Sequence, residues 1–320
     1  MARIIGLNHF QIKGNGSPAD QHLCQVYKNG RQQFQVDIVI EAYAEDQVIV
    51  PLTETQLQSV KLINYDSGAA VDGLFSRSYI KNIYDIFSES GLFDTTLQKQ
   101  NMSLITLYLS LPPTVSFSTL QIAAEITLDG ATYTTNDRDA VAGGHVSNGG
   151  FNSSILIKPM VPYILKAEDF VIVSNPGIGY WKYPGYTGGE RVLDLWIISL
   201  KHGYRILESD IPNERPIPWF SQYVRSGNDL DTGHWALPVL PAWSTVYLGW
   251  NRVGGSTTLD CAVQPYAGTG DAYAVIEKAH SFQIHSYNHK RIAYIDNNGC
   301  SHSVVLRPNN NGTTFQIDDN

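Results

Sequence analysis

The sequence has few charged residues, few cysteines and no long apolar run. Asp, Glu, Lys and Arg make up 16% of the 320 residues, below the roughly 25% of ordinary soluble domains. Exposed helices usually carry Lys, Glu and Arg, so a chain rich in Ser, Thr, Asn, Gln and Gly favours strands and turns. Apolar runs such as Trp196-Ile197-Ile198 are too short to span a bilayer, and we expect no transmembrane segment.

Basic residues are also scarce, and they do not cluster. The formal net charge is −8, and Lys290-Arg291 is the only adjacent pair of Lys or Arg residues. Proteins that bind nucleic acids carry a basic stripe because they must neutralise phosphates. We therefore expect no nucleic-acid partner.

The three cysteines are Cys24, Cys261 and Cys300. Their number is odd and their spacing fits no zinc pattern, so we expect reduced thiols in the cores, with Cys261 at an inward strand position. A disulfide between Cys261 and Cys300 is the alternative, and the spacing does not support it. The sequence predicts no cofactor and no metal.

The N-terminal residues contain no stretch long and apolar enough for a signal peptide. We expect a protein that is made in the cytosol. Such a protein acts outside the cell only after lysis, through a dedicated machine or inside a particle.

Alternating apolar and polar residues predict a mainly β fold. Residues 34–42 alternate with period two, as a half-buried strand does. Two alternating runs joined by Asp129-Gly130 predict a hairpin over 121–135 with a type I′ turn. One short amphipathic helix is expected near 75–89, because apolar residues recur there at spacings of three and four and Gly91 can end it. The fold class is therefore two sandwich-like or jelly-roll-like β domains, with one short helix in the N-terminal half.

Composition divides the chain into three segments. Residues 1–30 are polar, and we expect them to form an arm. We expect residues 31–150 to form a β domain. Residues 151–320 should form an aromatic-rich β sandwich, whose strands after residue 257 form a meander. The Gly-rich stretch before residue 150 predicts a linker. One large sandwich with a long loop is the competing interpretation.

An aromatic stretch bracketed by glycine is the first candidate site. Tyr180, Trp181, Tyr183 and Tyr186 fall in a predicted loop between Gly179 and Gly189. A loop cannot easily bury four rings alone. The rings can pack on a neighbouring subunit, stack on a ligand such as a surface glycan, or fold back over their own sheet. We favour the subunit contact.

A polar loop with Asp229, Asp231, His234 and Trp235 is the second candidate site. It could bind Ca²⁺ or a sugar, but the regular oxygen spacing of a calcium loop is absent. We favour a turn in which the Asp side chains bond their own backbone. His280, His285 and His289 do not converge on a strand, so we read them as structural or surface histidines rather than zinc ligands.

The sequence has no nucleophile elbow, zinc-protease helix or phosphate loop. Its residue usage as a whole, with a polar N-terminal arm and turns such as Asp296-Asn297-Asn298-Gly299, resembles that of bacteriophage virion proteins of the capsid, tail and receptor-binding classes. The resemblance implies a non-enzymatic structural or assembly protein that acts in a virion or after release. Its partners would be copies of itself or other particle proteins, and it could contribute to binding the host surface.

Two other classes of function stay open. A bacterial toxin or lectin-like protein would form pores or bind glycans, and the alternating stretches 103–111 and 116–128 suit a membrane-inserting hairpin. A polysaccharide-degrading enzyme would need two converging carboxylates in an aromatic groove.

Overall fold

The fold is given by a computed structural model. The residues it describes are 3–14, 23–86, 102–139, 150–181, 191–209, 217–222, 231–237, 245–252, 255–262, 272–279, 290–309 and 314–320, and within 174–195 and 217–290 only the backbone is described. The chain divides into two compact units, Met1–Pro162 and Tyr163–Asn320. Both units are mainly β, which confirms the predicted fold class; the sandwich or jelly-roll arrangement stays a prediction.

In its described residues, the first unit contains one α-helix and two five-stranded sheets. One sheet has the order β1-β3-β7-β6 with β4 beside β3, and the other has the order β2-β10-β8-β5 with β9 beside β8. All strand pairs are antiparallel except β2 with β10. Short 3-10 turns cover Glu45–Gln47 and Asp72–Leu74. The elements are β1 (Ile4–Gly14), β2 (Leu23–Tyr27), β3 (Gln33–Ala44), β4 (Ile49–Val50), α1 (Glu54–Gln58), β5 (Lys61–Asn64), β6 (Ser76–Ser78), β7 (Ser103–Ser110), β8 (Leu120–Leu128), β9 (Ala131–Thr134) and β10 (Ile155–Met160).

The described strands of the second unit form three sheets. Their orders are β11-β12-β18-β15-β14, β13-β19-β20-β21 and β16-β17, all antiparallel. A 3-10 turn covers Ala167–Asp169. The strands are β11 (Phe170–Trp181), β12 (Arg191–Leu200), β13 (Ile206–Ser209), β14 (Ile217–Gln222), β15 (Asp231–Leu237), β16 (Thr245–Arg252), β17 (Gly255–Ala262), β18 (Ala272–Ala279), β19 (Lys290–Asp296), β20 (Ser301–Asn309) and β21 (Thr314–Asp319).

The period-two pattern of β3 explains the core of the first unit. Phe34, Val36 and Ile38 are buried in a cluster to which both sheets contribute, because alternate side chains of a strand point to one face. The rings of Phe10 and Phe151 meet edge to face at 6.0 Å within this cluster. The second unit has its own cluster around the fully buried Tyr294.

The predicted hairpin over 121–135 is confirmed. Strands β8 and β9 pair from Leu128↔Ala131 to Glu125↔Thr134. Asp129 and Gly130 have φ of 47° and 89°, as a type I′ turn requires. The Asp129 carboxylate also accepts a hydrogen bond from the backbone N–H of Ile4 at 2.7 Å.

The predicted helix near 75–89 is wrong for the part of it that the structure describes. Residues 76–78 form strand β6, and 79–86 are not helical. The α-helix that the structure describes in the first unit is α1, where Thr53 and Gln56 cap each other's backbone. The spacing of three and four in 79–83 does not mark a buried stripe, since Ile80 and Ile83 are exposed.

The prediction of an irregular arm over 1–30 also needs correction. Strands β1 and β2 lie in this segment, and Phe10, Ile12 and Val26 are fully buried. The pairing of β1 with β3 shifts register between Ile4 and Gly6 and between Leu7 and His9. Each shift interrupts the alternation of apolar residues that would have revealed the strand.

The structure divides the chain after Pro162 rather than near residue 150. Strand β10 pairs with β2 and β8 of the first unit. Asn136 and Asn152 form a bridge, and Asp137 donates its backbone N–H to the carbonyl of Phe151. The Gly-rich stretch 140–149, outside the described residues, therefore connects two parts of one unit instead of two domains.

The predicted meander holds for only part of the C-terminal segment. Strands β19, β20 and β21 are neighbours in order, but β18 lies between β12 and β15, and β17 pairs with β16. Cys24 and Cys300 are buried thiols, as expected, and neither forms a disulfide within the part of the chain that the structure describes. Cys261 lies in β17, where only the backbone is described.

Candidate functional site

Residues 79–83 form an exposed apolar segment on the first unit. Ile80 is 78% exposed, Ile83 64% and Tyr79 54%. Scattered apolar residues are normal on a protein surface, but a cluster within five residues marks a candidate contact site. The segment follows β6 directly, at the point where the chain leaves the edge of the sheet.

Hydrogen bonds fix the backbone of the apolar segment. The Oγ atom of Ser78 accepts from the backbone N–H of Ile80 at 3.0 Å and donates to its carbonyl at 2.8 Å. The Asn82 N–H donates to Oε1 of Gln33 at 2.8 Å, and its side-chain amide donates to the carbonyl of Arg31 at 2.6 Å. A surface held in one shape loses less entropy on binding.

Arg77 holds the ring at the start of the apolar segment. Its guanidinium lies 5.3 Å from the ring centre of Tyr79 and donates to the Tyr79 hydroxyl at 2.9 Å. It also donates to the carbonyl of Val60 at 3.0 Å and lies 3.7 Å from the carboxylate of Asp72. The Tyr79 ring is thus oriented by a side chain that is itself anchored on both sides.

A buried polar network around Asp296 is the most concentrated group of ionisable side chains in the described part of the second unit. One carboxylate oxygen, Oδ1, accepts the backbone N–H groups of Asn298 and Cys300, each at 2.9 Å. The other, Oδ2, accepts the hydroxyl of Tyr163 and Nε2–H of His302, the latter at 3.1 Å. Four donors therefore satisfy a carboxylate that is fully buried.

Hydrogen bonding also fixes the tautomer of His302. Its Nδ1 atom accepts the backbone N–H of Leu165 at 3.0 Å. The ring proton is thereby assigned to Nε2, which faces Asp296. The imidazole connects strand β20 to the chain that enters the second unit.

Tyr163 completes the network and covers it. Its ring stacks on His302 at 5.5 Å and lies 5.2 Å from the ring of Tyr204. Burial is the main cause of the raised pKa of Tyr163; its hydrogen bond to Asp296 adds to the rise, and the hydrogen bond from Asn298 opposes it. The hydroxyl stays protonated and donates to the carboxylate, so the arrangement suits a fixed structural joint.

The predicted aromatic loop begins as a strand. Tyr180 and Trp181 lie at the end of β11, paired with Val192 and Arg191 of β12. Only the backbone of these residues is described. Tyr183 and Tyr186 lie outside the described residues, so the proposal that the four rings form one surface stays a prediction.

The predicted polar loop is in large part strand β15. Asp231, His234 and Trp235 lie in this strand, between β14 and β18, with His234 opposite Ile276 and Trp235 opposite Val275. Asp229 lies outside the described residues. His234 and Trp235 are paired on both edges of the strand and therefore do not lie in a turn. The bonds expected from the Asp side chains to their own backbone stay a prediction, because only the backbone of Asp231 is described.

The histidine cluster lies outside the residues that the structure describes, since 280–289 are not among them. Within the described residues, no group of three or more His, Cys, Asp or Glu side chains is arranged to hold a metal ion. No helix among these residues is both long enough and apolar enough to cross a membrane.

Sequence reasoning missed both the apolar segment and the Asp296 network. The side chains of Ser78 and Asn82 readily bond to nearby backbone, which was a local signal for a turn rather than a helix. Asp296-Asn297-Asn298-Gly299 was recognised as a turn. Its partner Tyr163 could not be recognised, because the two residues are 133 positions apart.

Comparisons with known proteins give little further information. No family model matches the chain, and no curated protein matches it. Among solved structures, the C-terminal domain of the Streptococcus agalactiae AgI/II polypeptide BspA is 9% identical, with 97% of this chain and 100% of that chain covered and a TM-score of 0.23. The C-terminal domain of the Streptococcus pyogenes antigen I/II-family protein AspA is 10% identical, with 93% and 99% covered and a TM-score of 0.23. Such low similarity supports no inference about fold or function.

Proposed function

We propose that the chain is a non-enzymatic structural or assembly protein of a phage-like particle, and that it binds copies of itself through the first unit. The observation that carries the proposal is the exposed, rigidly held apolar segment, residues 79–83. A monomer gains nothing from presenting two isoleucines and a tyrosine to water, whereas an interface buries them.

The shape of the segment supports binding rather than an accidental exposure. The side chains of Arg77 and Ser78 form hydrogen bonds that orient Tyr79 and Ile80. Interfaces of this kind place aromatic and aliphatic anchors at the centre and polar groups around them. Catalytic activity needs reactive groups that a substrate can reach, and the polar groups of the Asp296 network are bonded to one another in the interior.

Sedimentation velocity of the full chain over a concentration series tests this proposal. We expect the wild type to form a defined oligomer. A variant with Ile80→Ser and Ile83→Ser should bind about thirtyfold more weakly, because the substitutions remove about 2 kcal/mol or more of apolar burial. The matched control is Val48→Ser, which replaces one exposed aliphatic residue in the turn before β4.

The same experiment with vesicles of phosphatidylcholine and phosphatidylglycerol separates assembly from toxin-like behaviour. An oligomer that forms without vesicles and is weakened by the double substitution supports the proposal. A wild type that remains monomeric, or that oligomerises only on the vesicles, contradicts it. Melting curves of all variants show whether the fold is retained.

A further inference from the structure

Among the described residues of the first unit, one sheet edge is open over five residues. Strand β7 pairs with β3 along its whole length, from Ser103↔Ile40 to Ser110↔Gln33. On its other side, β6 pairs only with residues 108–110. Within the described part of the chain, the backbone of residues 103–107 has no partner on that side.

The edge of β1, in contrast, is closed by side chains of the same unit. The N–H of Ile4 donates to Asp129, and the N–H of Ile12 donates to Oγ of Ser153 at 2.9 Å. The strand also carries two register shifts. Bulges and local hydrogen bonds of this kind prevent a foreign strand from pairing.

The edge of β5 is closed in a similar way. The carbonyl of Leu62 accepts the N–H of Val71 at 2.9 Å, and the N–H of Leu62 donates to the carboxylate of Asp72 at 3.1 Å. These edges are protected by the chain itself. The edge of residues 103–107 is not protected in this way among the described residues.

The sequence of the open edge favours strand addition. Residues 103–107 read Ser-Leu-Ile-Thr-Leu, with no charge and no proline, and their pairing with β3 has no register shift. Ile105 and Leu107 are buried in the core and hold the strand in place, while Leu104 is 50% exposed. Natural proteins usually place a lysine, a proline or a bulge on such an edge to prevent pairing.

We propose that this edge of β7 pairs antiparallel with the same edge of a second copy of the chain, so that two sheets join into one. The proposal rests on the proposed function in self-assembly and names its surface. A twofold contact repeats one edge against itself, and an uncharged edge does so without like-charge repulsion. The paired length is about 17 Å, at about 3.3 Å per residue.

The position of the apolar segment supports a second copy as the occupant. Strand β6 ends at Ser78, opposite Tyr108, and Tyr79 and Ile80 follow immediately. The exposed apolar side chains therefore begin where the open edge begins. A strand that occupies the edge would extend from residues 103–107 toward this segment, and the same contact would cover both.

A lysine on the edge provides the test. Leu104→Lys in the full chain places a charge on the outer face of the open edge, and we expect it to weaken the dimer at least tenfold in sedimentation velocity. The matched control is Leu156→Lys. Leu156 is 37% exposed on β10, and it is paired with Leu23 on one side and Gln121 on the other.

Hydrogen–deuterium exchange on the wild type tests the inference without a substitution. We expect the amides of residues 103–107 that point to the open edge, every second one along the strand, to exchange more slowly at high than at low protein concentration. Equal exchange at both concentrations, or a Leu104→Lys dimer as tight as that of Leu156→Lys, overturns the edge pairing. If the oligomer is then still weakened by the Ile80→Ser and Ile83→Ser double substitution, the proposed assembly function stands and only its surface is wrong.

Discussion

The Nε2 atom of His302 lies 3.1 Å from Oδ2 of Asp296, with both side chains completely buried. The carboxylate has no water to replace a lost donor, and the imidazole has none to replace a lost acceptor. The pair therefore joins strands β19 and β20 to the chain segment at Tyr163 through bonds that are costly to break.

Asp296→Ala should lower the free energy of unfolding of the second unit by about 3 kcal/mol or more, because it leaves several buried donors unpaired. Urea denaturation followed by circular dichroism measures the change. The control is Asp318→Ala, which breaks a surface ion pair with Arg307 at 2.5 Å and should cost about 1 kcal/mol or less. Equal effects of the two substitutions would show that the network does not stabilise the fold.

Burial raises the pKa of the Cys24 thiol from 9.0 to about 12. The unfolded chain releases this proton at lower pH than the folded chain does. The contribution of the protonated thiol to the free energy of unfolding is therefore complete below pH 9 and is lost as the pH rises toward 12. The slope is about 1.4 kcal/mol per pH unit for one group.

The contribution of Cys24 is isolated by comparing the wild type with Cys24→Ala. Between about pH 9 and about pH 11, the wild type should lose about 2–3 kcal/mol more stability than the variant. The raised pKa of Tyr133, which is also caused mainly by burial, adds a loss at high pH in both proteins. If the unfolding free energies of the two proteins changed with pH in parallel, the raised pKa of the Cys24 thiol would be contradicted.

Features of the fold that depend on neighbouring residues could be predicted from the sequence. The alternation in β3 and the Asp129-Gly130 turn are local signals, and the structure contains both. The helix near 75–89 failed because the spacing of Tyr79, Ile80 and Ile83 does not distinguish a buried stripe from an exposed turn.

Features that depend on long-range contacts could not be predicted. As far as the chain is described, the edge of β7 is open because β6 has three residues, and the sequence does not show where a partner strand ends. The Asp296 network brings together residues 163–165 with 296–302. A single sequence carries no local signal of that pairing, so the candidate site was sought in the aromatic and polar stretches instead.

The hairpin turn provides a prediction about backbone conformation. Gly130 has a φ of +89° and space for a methyl group; Gly73 has the same space without a positive φ. Gly130→Ala should therefore cost about 1 kcal/mol relative to Gly73→Ala, since only the first introduces strain at positive φ. Thermal unfolding of both variants measures the difference, and equal melting temperatures would mean that the turn relaxes without cost.

The boundary between the units can be tested with two fragments. Residues 1–162 contain both sheets and the complete hydrophobic cluster of the first unit, so this fragment should unfold cooperatively on its own. Residues 1–150 lack β10, the strand between β2 and β8, and with it the buried Ile155 and Ile157.

Losing a central strand exposes the edges of both its neighbours and removes about 3 kcal/mol or more of apolar burial, so the shorter fragment should fail to unfold cooperatively. All six tryptophans lie beyond residue 162, so circular dichroism, rather than tryptophan fluorescence, must follow both fragments. Two equally cooperative transitions would place the boundary near residue 150, as the Gly-rich composition predicted, and would mean that β10 is dispensable to the first unit.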